Sequence, residues 1–142
     1  MLRVVFDTKL FVQAILTKKG ICALLLTAWK RNHYILISST DIVGEIERVL
    51  IYQQIRGKYN LTEADIEDLI SLLKSDAAIL SEIPKLNIIQ DYPPNNKFLD
   101  CAIAGDVDYI VAGDAHLLSI KKIKKIPIIS ASHFVKILGS KL

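Results

Sequence analysis

Cysteine and histidine are scarce in this sequence, and neither residue recurs at the spacing of a metal site. The chain has two cysteines and three histidines, with no CxxC pair and no Cys/His cluster of the kind that binds zinc. Cys22 and Cys101 each lie among apolar residues in a stretch predicted to be helical. We therefore expect two buried, unpaired thiols, as is usual in a reducing compartment.

Long hydrophobic runs are also missing. The longest apolar stretch, residues 21–29, is much shorter than the roughly 20 residues that a membrane-spanning helix needs. At the amino terminus, Asp7 interrupts the only early apolar run, so this segment does not have the form of a signal peptide. These features predict a cytoplasmic protein with no membrane partner.

Two common catalytic signatures are absent as well. The sequence has no glycine-rich loop of the kind that cradles nucleotide phosphates and no Gly-x-Ser-x-Gly turn of a serine hydrolase. The net charge is only +3, from 18 basic and 15 acidic residues, which permits a nucleic-acid partner without requiring one. Hydrophobic residues make up 51% of the 142 residues, so we expect one folded domain spanning residues 1–142.

The clearest pattern lies between residues 95 and 118. Residues 98–103 carry apolar side chains at helical spacing, and Gly105 is placed to end that helix. Residues 109–112 form a short apolar run that is typical of a parallel strand covered on both faces. Asp114 follows this run almost at once, which predicts a carboxylate at the edge where open α/β sheets bind ligands.

The amino terminus repeats this arrangement. Residues 3–6 are predicted to form a strand, and Asp7 ends it. Two strands should therefore deliver a carboxylate to the same edge of one sheet. A single aspartate at such a position is more commonly a helix N-cap than a ligand, so both interpretations stay open.

The remaining segments predict the fold class. Further strands are expected at residues 34–38, 77–80 and 126–129, and helical patterns alternate with them. This alternation predicts an α/β fold, a three-layer α/β/α sandwich with a mainly parallel, roughly five-stranded sheet. Pro127 lacks an N–H donor and marks the last strand as an edge strand, and the basic residues 121–125 are expected to form a loop before it.

Four acidic residues are candidates for one site. Asp7 and Asp114 follow strands, Glu45 lies in the helix after the second strand, and Asp100 lies in a helix that leads back toward the same edge. Carboxylates packed together raise each other's pKa, whereas a divalent cation would neutralise them. Oxygen ligands suit Mg²⁺ or Mn²⁺, which can activate water for phosphodiester hydrolysis. The alternative is that Glu45 and Asp100 are ordinary helix charges facing solvent.

Four blocks of the sequence resemble, in order, the PIN-domain family. They are VVFDTKLFV, SSTDIVGEIERVL, NNKFLDCAIAGDVDYIVAGDAHLL and IPIISASHFVKIL, and together they span nearly the whole chain. The chain looks most like the VapC-like branch, the toxins of toxin–antitoxin pairs. The resemblance implies a metal-dependent ribonuclease with a parallel sheet between helices and three or four acids that bind Mg²⁺ or Mn²⁺.

The resemblance also implies roles for individual residues. Asp7, Glu45 and Asp114 match acids of the family and are expected to bind the metal. Asn95 stands where the family has an acid, and its amide oxygen can still act as a ligand without contributing a negative charge. Asp100 matches a further acid of the same block and could supply the missing carboxylate.

Four departures from the family pattern surround this site. They are Lys9 in place of asparagine, Asn95 in place of the leading acid, Ala112 in place of a hydroxyl residue, and His116 in place of an acid. Lys9 could pair with Asp7 and compete with the metal, or it could contact phosphate. These departures leave open a second function, that of a degenerate PIN domain that binds RNA or a protein partner without cutting. A phospho-acceptor receiver domain is disfavoured, because the first strand ends in a lone aspartate and no lysine ends the fifth.

Basic residues are the candidates for RNA binding. Those that could hold an RNA backbone beside the acids are Lys9, Lys97, Lys121, Lys122, Lys124 and Lys125. For residues 121–125, a solvated loop is an equally good interpretation. The resemblance further implies an RNA substrate, a cognate antitoxin protein and a homodimer.

Four aromatic residues show no pattern of base stacking. Tyr34, Tyr52, Tyr59 and Trp29 are not spaced as in proteins that bind single strands. We expect them in the core or in an interface.

Overall fold

Strands and helices alternate along the chain, as the sequence predicts. The structure, a computed structural model, describes residues 1–90 and 92–142. The strands are β1 (Arg3–Phe6), β2 (Ile35–Ser39), β3 (Ala78–Leu80), β4 (Tyr109–Val111), β5 (Lys122–Ile123) and β6 (Ile126–Ile129). The helices are α1 (Thr8–Leu16), α2 (Ile21–Lys30), α3 (Thr40–Arg56), α4 (Glu63–Asp76), α5 (Asn96–Ala104), α6 (Ala115–Ile120) and α7 (Ala131–Leu138), with 3₁₀ turns at Pro93–Asn95 and Gly139–Lys141.

The strands form one mixed sheet between helices. Their order is β3-β2-β1-β4-β6-β5, and every neighbouring pair is parallel except β5 with β6. The predicted three-layer α/β/α architecture with a mainly parallel sheet is thus confirmed. Because β1 lies between β2 and β4, the segments that follow these three strands leave the sheet at one shared edge.

Two predictions near the carboxyl terminus are wrong. Residues 122–123 form β5 instead of a loop, and Lys122 pairs with Pro127 in an antiparallel register. Pro127 therefore lies in a strand that has neighbours on both sides. The missing N–H of the proline is tolerated because pairing resumes at the next residue, where the Ile128 N–H donates to the Lys121 carbonyl at 2.9 Å. A strand of two residues is too short to give a periodic signal in the sequence.

The core contains an aromatic cluster beneath the centre of the sheet. The ring of Phe6 lies 5.6 Å from that of Phe11 and 5.7 Å from that of Tyr34, and Phe134 contacts Tyr34 edge to face at 5.1 Å. The buried Tyr34 hydroxyl donates to the Leu25 carbonyl at 2.5 Å, which satisfies the only polar atom of this side chain. Tyr34 is thus a core residue, as predicted.

The two cysteines are unpaired, as predicted. Cys101 is buried and Cys22 is half-buried. Burial raises the pKa of both thiols, to about 12 for Cys101, so both remain protonated at neutral pH. Among the described residues, no single helix is long and apolar enough to cross a membrane; α1 and α2 pass that test only as a pair, and they are bent by 100° at the break.

Glycines end two helices for different reasons. Gly57 ends α3 in the left-handed conformation, with φ of 69°, which glycine adopts without strain. Gly105 ends α5 as predicted, but with φ of −84°. The requirement for glycine at residue 105 is close packing, because an added Cβ would lie 2.8 Å from Cγ2 of Ile37. Glycine at residue 105 therefore lets the end of α5 pack closely against β2.

Candidate active site

Asp7 and Asp114 lie side by side at the carboxyl edge of the sheet. β1 and β4 are parallel neighbours with Phe6 opposite Val111, and the Asp7 N–H donates to the Val111 carbonyl at 3.2 Å. The chain leaving β1 therefore meets the Gly113–Asp114 segment that leaves β4.

The carboxylate of Asp7 is held by three backbone N–H groups. Its Oδ1 accepts a hydrogen bond from Leu10 at 3.0 Å, and its Oδ2 accepts from Gly113 and Asp114, both at 2.9 Å. The residue is only 1% exposed. Burial raises the pKa of Asp7, the three hydrogen bonds oppose this rise, and the charge of Asp114 adds to it. Because each carboxylate oxygen can accept two hydrogen bonds, Oδ1 keeps one position for a ligand.

Asp114 is fixed in a similar way. Its Oδ2 accepts from the Leu117 N–H at 3.0 Å, as the N-cap of α6, and from the side-chain amide of Asn95 at 2.9 Å. Asp7 is likewise the N-cap of α1. The two interpretations left open by the sequence are therefore compatible, since capping leaves acceptor positions on each carboxylate unused.

A groove between α1 and α3 leads to these two aspartates. It has a volume of about 450 Å³ and is lined at one end by Asp7, Asn95, Asp114 and Glu45. We call it the α1–α3 groove. Its α3 wall consists of Glu45, Val49, Gln53 and Arg56, which lie on one face of the helix because they are three or four residues apart. Arg56 lies about 16 Å along the helix from Glu45.

Glu45 reaches the groove but forms an ion pair with Lys97 of α5. Both side chains are partly buried, so the contact is shielded from solvent more than a surface pair would be. Lys97 was a candidate for RNA binding, and the structure instead shows its ammonium group next to an acid.

Asp100 lies in a different pocket. Its side chain is 7% exposed, and its Oδ1 accepts from the Leu86 N–H at 3.2 Å. It lines a neighbouring pocket of about 460 Å³ together with Asn96 and Lys97. The structure thus brings Asp7, Glu45 and Asp114 to one groove and leaves Asp100 outside it. Among the described residues, no three His, Cys, Asp or Glu side chains are close enough together to hold a metal ion.

The oxygen atoms around Asp7 nevertheless suit a hard divalent cation. Asp7 and Asp114 supply two fixed carboxylates, and the buried amide of Asn95 touches Asp114. Thr8 lines the same groove, and its buried hydroxyl has no hydrogen-bond partner among the described residues. Mg²⁺ is commonly held by one or two carboxylates and keeps several waters, so these residues fit such an ion.

One of the predicted RNA-binding lysines, Lys9, lies in the groove. Lys9 lines the α1–α3 groove, and its stem packs on Gly113, where an added Cβ would lie 3.3 Å from Lys9 Cγ. Among the side chains that the structure describes, the only salt bridge is the one between Lys97 and Glu45, so Lys9 does not pair with Asp7.

The basic segment 121–125 lies away from this groove. Lys124 and Lys125 connect β5 to the start of β6. Since β6 runs parallel to β4, with Ile128 opposite Ile110, this connection is at the amino edge of the sheet. The two lysines are therefore on the side opposite to Asp7 and Asp114.

Several residues that line the groove were not predicted from the sequence to belong to the site. They are Thr8, Arg56, Lys58, Tyr59 and Tyr92. The helical spacing from Glu45 to Arg56 was a usable signal for Arg56. Tyr92 had none, because it precedes the irregular Pro93–Asn95 turn, where no periodicity shows which way a side chain points.

The fold and the groove define a class of protein: an α/β domain with a mainly parallel sheet and two fixed carboxylates, Asp7 and Asp114, at the carboxyl edge of that sheet. A family model described as "PIN domain" matches residues 3–116. The chain therefore belongs to the PIN-domain family, whose members are in general nucleases and typically depend on a divalent metal.

A solved structure supports the same fold. The chain is similar to PAE2754 from Pyrobaculum aerophilum, with a TM-score of 0.60 and 16% sequence identity over 99% of this chain and 98% of that one. Among curated proteins, none matches this sequence.

Proposed function

We propose that this PIN domain is a metal-dependent endoribonuclease that hydrolyses RNA in the α1–α3 groove. The observation that carries the proposal is the pair of fixed aspartates, Asp7 and Asp114, joined to Asn95 at the groove's end. Mg²⁺ or Mn²⁺ held by these residues would activate water for attack and stabilise negative charge on the phosphate.

The acidic side chains of the groove have different roles in this proposal. Asp7 and Asp114 are ligands whose positions are set by backbone hydrogen bonds. Glu45 is a third carboxylate, on the α3 wall of the groove, and its ion pair with Lys97 orients it. We leave Asp100 out of the proposed site, because it lines the neighbouring pocket and its carboxylate accepts a hydrogen bond from the Leu86 N–H.

Asn95→Asp is expected to strengthen metal binding. The substitution places a third carboxylate against Asp114, which should raise the affinity for Mn²⁺ by about tenfold or more. Without metal, the two carboxylates repel each other, so the melting temperature should fall, and added Mn²⁺ should raise it more than in the wild type. Asn60→Asp adds the same charge at an exposed position and should change neither the affinity for Mn²⁺ nor the melting temperature.

Cleavage of single-stranded RNA tests the activity itself. Wild-type protein should cut in Mg²⁺ or Mn²⁺ and stop in EDTA, and Asn95→Asp should cut faster at limiting Mn²⁺. Folded wild-type protein that cuts equally well in EDTA would contradict the proposal.

A second function, RNA binding without cleavage, is favoured by two specific contacts. The ammonium of Lys97 neutralises Glu45, and the Asn95 amide donates a hydrogen bond to Asp114 where the family has an acid. This function predicts RNA binding that is equal in Mn²⁺ and EDTA, with no cleavage in either. A dependence of binding on Mn²⁺, or any metal-dependent cleavage, would exclude it.

We also propose that the protein is the toxin of a toxin–antitoxin pair. The support is the resemblance of its four sequence blocks to the toxin branch. Expression of the chain alone should arrest growth of a bacterial host, and Asp114→Asn should relieve the arrest at equal protein levels. Arrest that is unchanged by Asp114→Asn would mean that the growth effect does not depend on the groove.

A second copy of the chain is the proposed partner of an exposed apolar patch on α3. The patch consists of Ile51, Tyr52 and Ile55, which are 44%, 57% and 78% exposed and lie next to one another on the helix surface. Contiguous exposed apolar surface is typical of interfaces, and a homodimer is what the family resemblance implies.

Ile55→Asp is expected to convert a dimer to a monomer. The substitution buries an unpaired charge in the interface, whereas the isolated chain loses little because Ile55 is 78% exposed. Light scattering after size-exclusion chromatography measures the change, and Ile21→Asp, 40% exposed on α2, is the control. A wild-type protein that is monomeric at all concentrations would contradict the proposal.

A further inference from the structure

Two aromatic rings stack beside the α1–α3 groove, and one of them, Tyr92, lines it. The ring of Tyr92 lies parallel to that of His116, with centroids 4.9 Å apart and an interplanar angle of 11°. Tyr92 lines the groove beside Asn95 and Asp114, and His116 lies in the first turn of α6, which Asp114 caps. Tyr92 therefore lies in the same groove as the fixed aspartates, and its partner His116 is two residues after Asp114 in the chain.

This pair is not part of the core. The buried aromatic residues Phe6, Phe11, Tyr34 and Phe134 form a separate cluster. Tyr92 is 42% exposed, so much of its ring surface remains accessible.

The position of Tyr92 is fixed by its neighbours. The Tyr92 carbonyl accepts from the Asn95 N–H at 3.3 Å, and the two prolines that follow, Pro93 and Pro94, restrict the backbone. Contact with His116 holds the ring itself. An exposed ring that is already ordered loses little entropy when another ring stacks on it.

We propose that Tyr92 and His116 form a stacking platform for a nucleobase next to the phosphate that is cut. The proposal rests on the ribonuclease function given above. Aromatic side chains bind bases of any sequence through their π-faces, and they need a base that is not already stacked in a duplex. The platform would thus make an unpaired base a requirement for binding, while Lys9, Arg56 and Lys58 along the groove contact phosphates.

Binding in EDTA separates the platform from the chemistry of cleavage. Fluorescence anisotropy would compare three probes of equal length: a single-stranded oligoribonucleotide, the same sequence as a duplex, and an abasic ribose-phosphate oligomer. Tyr92→Leu should weaken binding of the single strand by about 5- to 100-fold. It should leave binding of the duplex and of the abasic oligomer within about twofold of wild type, because neither offers a free base to stack.

Control variants distinguish the ring from other properties of Tyr92. Tyr92→Phe keeps the ring and should retain wild-type binding, and His116→Ala should weaken binding of the single strand only. His133→Ala removes an exposed histidine on α7 and should have no effect. All variants should melt close to the wild type, because neither ring of the platform is in the core.

The outcomes separate the two proposals. If wild-type protein cuts RNA with metal but Tyr92→Leu binds the single strand as tightly as wild type, the platform alone is wrong. The platform is also wrong if Tyr92→Leu weakens the binding of all three probes equally. If the wild type neither binds nor cuts any of the RNA probes, the ribonuclease function fails and the platform fails with it.

Discussion

Asp114→Asn is expected to reduce metal-dependent RNA cleavage by on the order of 100-fold or more, since a catalytic metal contributes several kcal/mol to transition-state stabilisation. The variant keeps the shape of the side chain. Its amide oxygen can still accept from Leu117 and Asn95, as the carboxylate Oδ2 does. The substitution therefore removes one negative charge from the site and little else. Asp7→Asn should lose as much activity.

The two variants differ in their expected stability. Asp7 accepts three backbone hydrogen bonds through both oxygens, and asparagine would turn an amide donor toward one of these N–H groups. We expect Asp7→Asn to lower the free energy of unfolding by about 1–3 kcal/mol, and Asp114→Asn to change it much less. Denaturation curves measure this difference.

Asp100→Asn is the control for cleavage, because Asp100 lines the neighbouring pocket. This variant should keep most of the cleavage activity. Cleavage that survives Asp114→Asn but not Asp100→Asn would show that the reaction takes place in the other pocket.

Removing the basic side chains of the groove should produce the second large effect, a loss of affinity for RNA. Lys9, Arg56 and Lys58 line the α1–α3 groove, where no acid within the described residues pairs with them. If each contacts one phosphate, replacing all three by glutamine should lower RNA affinity by on the order of 100-fold at low salt. The slope of log affinity against log salt should decrease in magnitude by about 2, since each contact on a single strand contributes about 0.7.

A matched control lies at the opposite edge of the sheet. Lys124 and Lys125 form the connection between β5 and β6 and belong to the basic run that is most conspicuous in the sequence. Replacing both by glutamine should leave affinity and salt slope nearly unchanged. If this double variant loses more affinity than the triple variant, RNA binds along the amino edge and not in the groove.

Most of the fold could be predicted because its strands are short, apolar and separated by helical patterns. Residues 3–6 and 109–112 are continuous apolar runs, as expected for strands that are covered on both faces. The Asp7 and Asp114 positions followed from the same reasoning, since parallel strands deliver their carboxyl ends to one edge. The start of one helix is also encoded locally, because Thr62 and Asp65 have the spacing of a capping box and form one at the start of α4.

The rest of the site depended on three-dimensional relations that spacing does not encode. Asp100 and Asn95 are in or next to the same short helix, but five residues of helical rotation turn their side chains to different pockets. The Lys97–Glu45 pair joins residues 52 positions apart. The Tyr92–His116 stack requires an irregular turn to meet the start of α6, and no periodic pattern predicts such a contact.

Direct titration with Mn²⁺, followed by electron paramagnetic resonance of the free ion, tests the central claim that Asp7, Asn95 and Asp114 hold a catalytic cation. We predict one Mn²⁺ site per chain. The affinity for Mn²⁺ should be lowest in Asp114→Asn, intermediate in the wild type and highest in Asn95→Asp. Equal affinities in the three proteins, or no saturable binding in the wild type and Asn95→Asp, would contradict the claim.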